Sequence, residues 1–254
     1  RKLGSPCAGH PENFLLDGVE CTTGPLGQGL AMAVGMAMAE RHLNAIYGDD
    51  LVDHRTWVIA GDGCLMEGIN HEAIGLAGHL KLGRLNVLWD DNRITIDGAT
   101  DLSSSEDIKA RYIATGWHVT ECDGHDFADI ERALQEAKAD PRPSLIACRT
   151  LIGKGAPNKQ GTSGVHGAAL GGAEVAAARE TLGWPHEPFV LPDEAVRPWR
   201  AASGSIHGPH MPPCSAQPCS STMSGPESPR ISTWAVISSS PRPWPESSRI
   251  AVPL

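Results

Sequence analysis

An aspartate between two glycines, Gly61-Asp62-Gly63, is followed further along the chain by Asp90-Asp91-Asn92. One carboxylate, one amide oxygen and a backbone carbonyl together make a set of hard oxygen donors. Mg²⁺ takes about six such ligands in a near-octahedral shell, usually only a few from protein and the rest from phosphate and water. The two runs fit a clamp for a divalent cation and the diphosphate it carries, and the flanking glycines let backbone approach phosphate closely. Taken singly, Gly-Asp-Gly is also an ordinary turn tripeptide. The pairing with the second run is what makes the pattern selective.

For the two runs to meet, regular elements must carry them. Each follows an apolar stretch, Thr56-Trp57-Val58-Ile59-Ala60 and Leu85-Asn86-Val87-Leu88-Trp89. As parallel neighbours these strands bring both runs to one sheet edge, where open α/β sheets bind ligands. Parallel neighbours need a crossover of about a dozen residues or more, usually helical. Asn70 to Leu82 supplies it, with Asn70 as N-cap, Glu72 in the first turn, and Ala73, Leu76, Ala77 and Leu80 recurring at helical intervals to face the sheet. The expected order is strand, Gly-Asp-Gly turn, helix, strand, Asp-Asp-Asn turn. Upstream, Gly24 to Gly29 precedes an apolar helix from Leu30 to about Leu43. Free N–H groups and the positive helix end there would suit an anion. A glycine-rich turn before a buried helix has the same appearance.

Other runs accompany these in a fixed order. Gly9-His10-Pro11-Glu12 and Thr22-Thr23-Gly24-Pro25-Leu26-Gly27-Gln28-Gly29 come first, then Gly61-Asp62-Gly63-Cys64-Leu65-Met66-Glu67-Gly68 and Asp90-Asp91-Asn92-Arg93-Ile94-Thr95-Ile96-Asp97-Gly98. Asp123-Gly124-His125-Asp126, Pro143-Ser144-Leu145, Ile152-Gly153-Lys154-Gly155, Pro157-Asn158-Lys159 and Leu182-Gly183-Trp184 follow. In these motifs the chain resembles the transketolase family, over roughly residues 4 to 200.

The resemblance implies an α/β fold, a parallel sheet with helices on both faces, that binds the diphosphate end of thiamine diphosphate. It implies that Asp62, Asn92 and the carbonyl of Ile94 hold the metal, Mg²⁺, with Ca²⁺, Mn²⁺ or Co²⁺ able to substitute. Gly24, Pro25, Leu26, Gly63 and Asn92 are implied to contact the cofactor, and His10 to hydrogen-bond the donor ketose in the active site. Glu67 corresponds to a glutamate at a homodimer interface that links two active sites; by residue type alone it is equally a surface carboxylate in a turn. One departure stands out in Gly161-Thr162-Ser163-Gly164-Val165-His166-Gly167. Ser163 occupies the place where the family often has a histidine, so a hydroxyl replaces an imidazole, and His166 reads as a loop anchor. The stretch from Gly153 to Gly167 fits either a mobile loop over an active-site mouth or a flexible surface connection.

The implied activity is transfer of a two-carbon ketol unit from a ketose phosphate, such as xylulose 5-phosphate or sedoheptulose 7-phosphate, to an aldose phosphate such as ribose 5-phosphate or glyceraldehyde 3-phosphate. It serves the pentose phosphate pathway or photosynthetic carbon fixation (the Calvin cycle). The family's activating glutamate comes from a further domain of a partner subunit, so this polypeptide alone is expected to lack ketol transfer. Two alternatives stay open: another thiamine-diphosphate enzyme, such as deoxyxylulose-phosphate synthase or phosphoketolase, and a non-catalytic binding protein on the same domain. The contexts His10-Pro11-Glu12 and Glu67-Gly68-Ile69 favour transketolase.

Composition sets the remaining bounds. Residues 1–200 can bury a core as one domain, the one that the resemblance implies binds cofactor and metal, and they are acidic enough to argue against nucleic-acid partners. No apolar run approaches the roughly eighteen residues that span a membrane, and the seven cysteines are scattered without zinc spacing, which fits a reduced cytoplasmic protein. The chain begins at Arg1 and reaches His10-Pro11-Glu12 almost at once, so the opening elements of the domain are expected to be missing. From Ala201 to Leu254 proline and serine dominate, the composition of a disordered tail. A polyproline partner-binding tail lacks its flanked PxxP repeats here. The resemblance also ends abruptly near Arg200, as a shifted reading frame would produce, and resequencing the encoding DNA decides between these.

Overall fold

The computed structural model describes residues 4–6, 9–16, 19–188, 190–206 and 248–251. Helix α1 (Gln28–Tyr47) leads into strand β1 (Arg55–Gly61), and helices α2 (Asp62–Met66) and α3 (Gly68–His79) cross to β2 (Leu85–Asp91). A short hairpin, β3 (Ile94–Thr95) and β4 (Gly98–Ala99), and helix α4 (Ile108–Ala114) precede β5 (His118–Asp123), α5 (Phe127–Ala139) and β6 (Ser144–Arg149). Helices α6 (Gly172–Thr181) and α7 (Asp193–Ile206) and strand β7 (Ser248–Ala251) complete the described α-helices and strands, with short 3-10 turns at Thr100–Leu102 and Ser163–Val165.

The main sheet runs β5-β6-β2-β1-β7, and all its pairings are parallel. Its central strands are buried along most of their length, five of six residues in β6 and the first three of β2, as a sheet covered on both faces requires. Alternate side chains feed two cores. Val58, Ala60, Val87, Leu145 and Ala147 pack with Leu30, Val34 and Ala37 of α1, Ala73, Ile74 and Ala77 of α3 and Tyr112 of α4. On the opposite face Trp57, Ile146, Cys122 and Cys148 pack with Ala133 and Ala137 of α5. Helices therefore do lie on both faces, as expected, with the larger core under α1, α3 and α4.

The crossover differs from its sequence reading in detail. Gly-Asp-Gly is not a free turn: Gly61 ends β1 and Asp62 opens α2. Helix α3 starts at Gly68 with Glu67 as its N-cap residue, and Asn70 lies inside it, fully buried. Asn70 is claimed by other partners, donating from Nδ2 to the Leu65 carbonyl at 2.9 Å and accepting from the Tyr112 hydroxyl at 2.9 Å. The buried face is Ala73, Ile74 and Ala77, while Leu76 is exposed.

The boundary expected at 200 falls within α7, which continues to Ile206. Backbone residues Ser248–Ala251 pair with Arg55 to Val58 of β1. The rest of the proline- and serine-rich stretch, and the disorder and frame shift expected for it, lie outside the described residues.

Candidate functional site

Register brings the two acidic runs together. Gly61 pairs with Asp90 at the carboxyl ends of β1 and β2, so Asp62 and Asn92 leave adjacent strands at the same edge. Asp62 is buried. Its Oδ1 accepts from the Trp89 indole at 3.1 Å and its Oδ2 from the Arg93 amide at 3.0 Å, in the peptide link directly after Asn92. Arg93 takes a left-handed conformation, φ 61°, uncommon for a residue with a side chain, and such strain gathers at functional sites. Asn92 donates from Nδ2 to Asp90 Oδ2 at 3.0 Å and accepts at Oδ1 from the Ile94 amide at 2.9 Å. Asp62, Asn92 and Ile94 thus lie together where β1 and β2 end. Trp89 and Asp90 were not among the predicted site residues, although a strand neighbour of the aspartate was the place to look.

The same edge receives the upstream loop. Thr22 donates from Oγ1 to Glu12 Oε2 at 3.1 Å and accepts from the Asn13 amide at 3.0 Å, tying the His10-Pro11-Glu12 segment to the Thr22–Gly27 loop. Gly24 has φ 142°, and a Cβ there would lie 2.5 Å from the His10 ring, so only glycine lets the loop backbone pass so close. Leu26 lies against Gly63, 3.2 Å from where a Cβ would stand. At Gly27, the residue before α1, a Cβ would meet Ile69 at 2.7 Å and Glu67 at 3.0 Å. His10, Gly24, Leu26, Gly63 and Glu67 are therefore linked by contact into one rim, with His10 and Pro25 exposed and Glu67 half-buried. The N-cap residue of α1 is Gly27, which has no side chain to cap with, and no acid sits in the first turn, an arrangement that suits an anion.

Charge and donor type test whether a divalent cation fits. Burial pushes the Asp62 carboxyl up to about 6; the Asp91 and Asp90 charges add to this, and the hydrogen bonds from Trp89 and Arg93 only partly offset it. A desolvated carboxylate with acidic neighbours is relieved by a bound cation. Asp62 with the Asn92 amide and the Ile94 carbonyl is an all-oxygen set suited to Mg²⁺. It differs in kind from clusters of three or more His, Cys, Asp or Glu, of which the described residues contain none. The residues present therefore fit a metal-bound diphosphate.

The stretch from Gly153 to Gly167 is laced rather than loose. Gly161 donates to the Ile152 carbonyl at 2.8 Å, Gly155 to Gln160 Oε1 at 3.1 Å, and Asn158 to both carboxylate oxygens of Glu174 on α6 at 2.9 Å each. These bonds hold the Glu174 carboxyl below its ordinary range. Ser163 sits half-buried in a 3-10 turn, and its carbonyl accepts from the amide of exposed His166. Among the described residues no helix is long and apolar enough to cross a membrane.

Comparison with known proteins agrees with this geometry. A family model for the thiamine diphosphate binding domain of transketolase matches residues 1–208. The Cereibacter sphaeroides transketolase is 65% identical over 199 residues, covering 78% of this chain and 30% of the relative. The Leishmania mexicana transketolase structure superposes with TM-score 0.75 at 47% identity, over 79% of this chain and 31% of that one. A Pichia stipitis transketolase solved with sedoheptulose 7-phosphate gives TM-score 0.75 at 45% identity, over 79% and 31%. The chain thus spans about 30% of the length of the curated relatives it matches. Since the matched region includes every element that carries Asp62, Asn92 and the Gly24 loop, the chain belongs to the transketolase thiamine-diphosphate-binding domain family.

Proposed function

We propose that this chain holds Mg²⁺ and the diphosphate of thiamine diphosphate for a transketolase that moves a two-carbon ketol unit from a ketose phosphate to an aldose phosphate. The observation that carries the reading is the bond from the Arg93 amide to buried Asp62, which sets a desolvated carboxylate beside the Asn92 amide at the strand ends. Asp62, Asn92 and the Ile94 carbonyl would hold the cation. Gly24, Pro25, Leu26 and Gly63 would line the diphosphate with backbone and small apolar surface. When bound, thiamine diphosphate supplies a centre that stabilises a carbanion.

His10, exposed where it touches Gly24, would hydrogen-bond hydroxyls of the ketose, and Ser163 would offer a hydroxyl where relatives often carry an imidazole. Glu67, packed against the start of α1, would face the second subunit of a homodimer. Sugar phosphates as substrates are supported by relatives such as the Pichia stipitis enzyme seen with sedoheptulose 7-phosphate. A cytoplasmic setting and a place in pentose phosphate metabolism or carbon fixation (the Calvin cycle) follow from the same reading.

Calorimetry with thiamine diphosphate tests the core of it. Saturable binding that requires Mg²⁺ is expected, and Asp62→Ala is expected to abolish the metal requirement together with most of the affinity. Unchanged metal-dependent binding in that variant would show that the cation sits elsewhere.

A further inference from the structure

Asn92 can serve a cation only if its amide presents oxygen, and an amide turned over would present two N–H donors instead. The structure contains a device that decides this. Asp90 Oδ2 accepts from Asn92 Nδ2 at 3.0 Å, and a carboxylate oxygen paired this way fixes nitrogen on that side. Oδ1 then faces the Ile94 amide at 2.9 Å with a second lone pair to spare. Asp90 is itself held by the Thr150 hydroxyl, which bonds its Oδ1. Thr150 follows β6, and its amide donates to the Asp91 carbonyl at 3.2 Å.

Thr150 is fixed from its other side by the Asp123-Gly124-His125-Asp126 run. A Cβ on Gly124 would lie 2.5 Å from the Thr150 methyl, and the Gly124 amide donates to the Arg149 carbonyl at 2.8 Å. Contacts thus run from Gly124 beyond β5, through Thr150 beyond β6, to Asp90 and Asn92 at the end of β2. Groups behind a metal ligand commonly set its orientation, and losing one typically lowers metal affinity by about 10- to 100-fold.

We propose that Asp90 and Thr150 are positioning residues that hold the Asn92 amide oxygen toward the cation, with Gly124 giving Thr150 its place. This rests on the reading of Asp62 and Asn92 as metal-holding residues. Titration of Mg²⁺ into the protein at saturating thiamine diphosphate tests it, with the melting temperature of the metal-free protein recorded alongside. Asp90→Ala is expected to weaken Mg²⁺ by about 10- to 100-fold.

Thr150→Val, which keeps the shape but lacks the hydroxyl, is expected to weaken Mg²⁺ by several-fold to about tenfold, and Thr150→Ser to restore wild-type affinity. The metal-free melting temperatures of the two Thr150 variants are expected to stay close together. Wild-type Mg²⁺ affinity in Thr150→Val, with Asp62→Ala still losing the metal, overturns the positioning role alone; should Asp90→Ala fail to fold, the Thr150 pair still decides. Unchanged affinity in Asp62→Ala removes the metal reading and this inference with it.

Discussion

At the residue scale, Asp62 is the group on which the proposed cation site turns, because its environment would set opposite demands on the metal-free and metal-bound protein. Its carboxyl, raised from 3.8 to about 6 chiefly by burial, holds a proton more tightly in the folded state than in the unfolded chain. Stability of the metal-free fold therefore falls as pH rises from about 4 to about 6, and is lowest on the plateau above. Metal uptake at the proposed site would run the other way, since the cation needs the carboxylate and displaces the proton. Mg²⁺ affinity is expected to rise about tenfold per pH unit up to about pH 6 and level off above it. Calorimetry across a pH series checks this, and a flat profile from pH 5 to pH 7 would show that burial does not raise the Asp62 carboxyl. The acid itself was legible in the sequence because glycines and a second acidic run flank the strand ends. Its indole partner was not, since Trp89 reaches Asp62 only through the pairing of β1 with β2.

At the element scale, a buried set of hydrogen bonds fixes the link between α2 and α3, where Glu67 sits. Asn70 Nδ2 and an Arg111 guanidinium nitrogen both donate to the Leu65 carbonyl, at 2.9 and 2.7 Å, and Tyr112 on α4 secures Asn70 from behind. Asn70 and Tyr112 are fully buried. Arg111 also bonds Glu106 at 2.7 Å and the His71 ring. Tyr112→Phe leaves the Asn70 oxygen buried without its donor, which costs about 1–3 kcal/mol. Chemical denaturation should show that loss with little change in the slope of unfolding against denaturant. The helical spacing in this segment predicted a crossover helix in the right place, but asparagine before an apolar run is read as a cap by default. Its interior position follows from a hydroxyl on a helix distant in sequence, which no local pattern records.

At the scale of the whole molecule, one parallel sheet separates two cores of unequal size, and the candidate site lies where the strands of both cores end. Ile146 points into the smaller core beneath α5 and is almost fully buried. Ile146→Ala is expected to cost about 2–5 kcal/mol. Because both cores share β2 and β6, tryptophan fluorescence and far-ultraviolet circular dichroism should report the same shifted transition; separate transitions would mean that the two layers unfold independently.

What the sequence determined by itself were the elements whose signals are local: the apolar strands, the helical crossover, the glycines of the Gly24 loop, and the identity of Asp62 and Asn92 as candidates, with His10 added by the family resemblance. Motif order along the chain also carried the family. Only the tertiary structure decided which of these touch, because contact between β1, β2, β6 and the Gly24 loop depends on register and packing between residues far apart in the chain. It is that register which buries Asp62, sets Arg93 against it, and lets Thr150 and Asp90 reach Asn92.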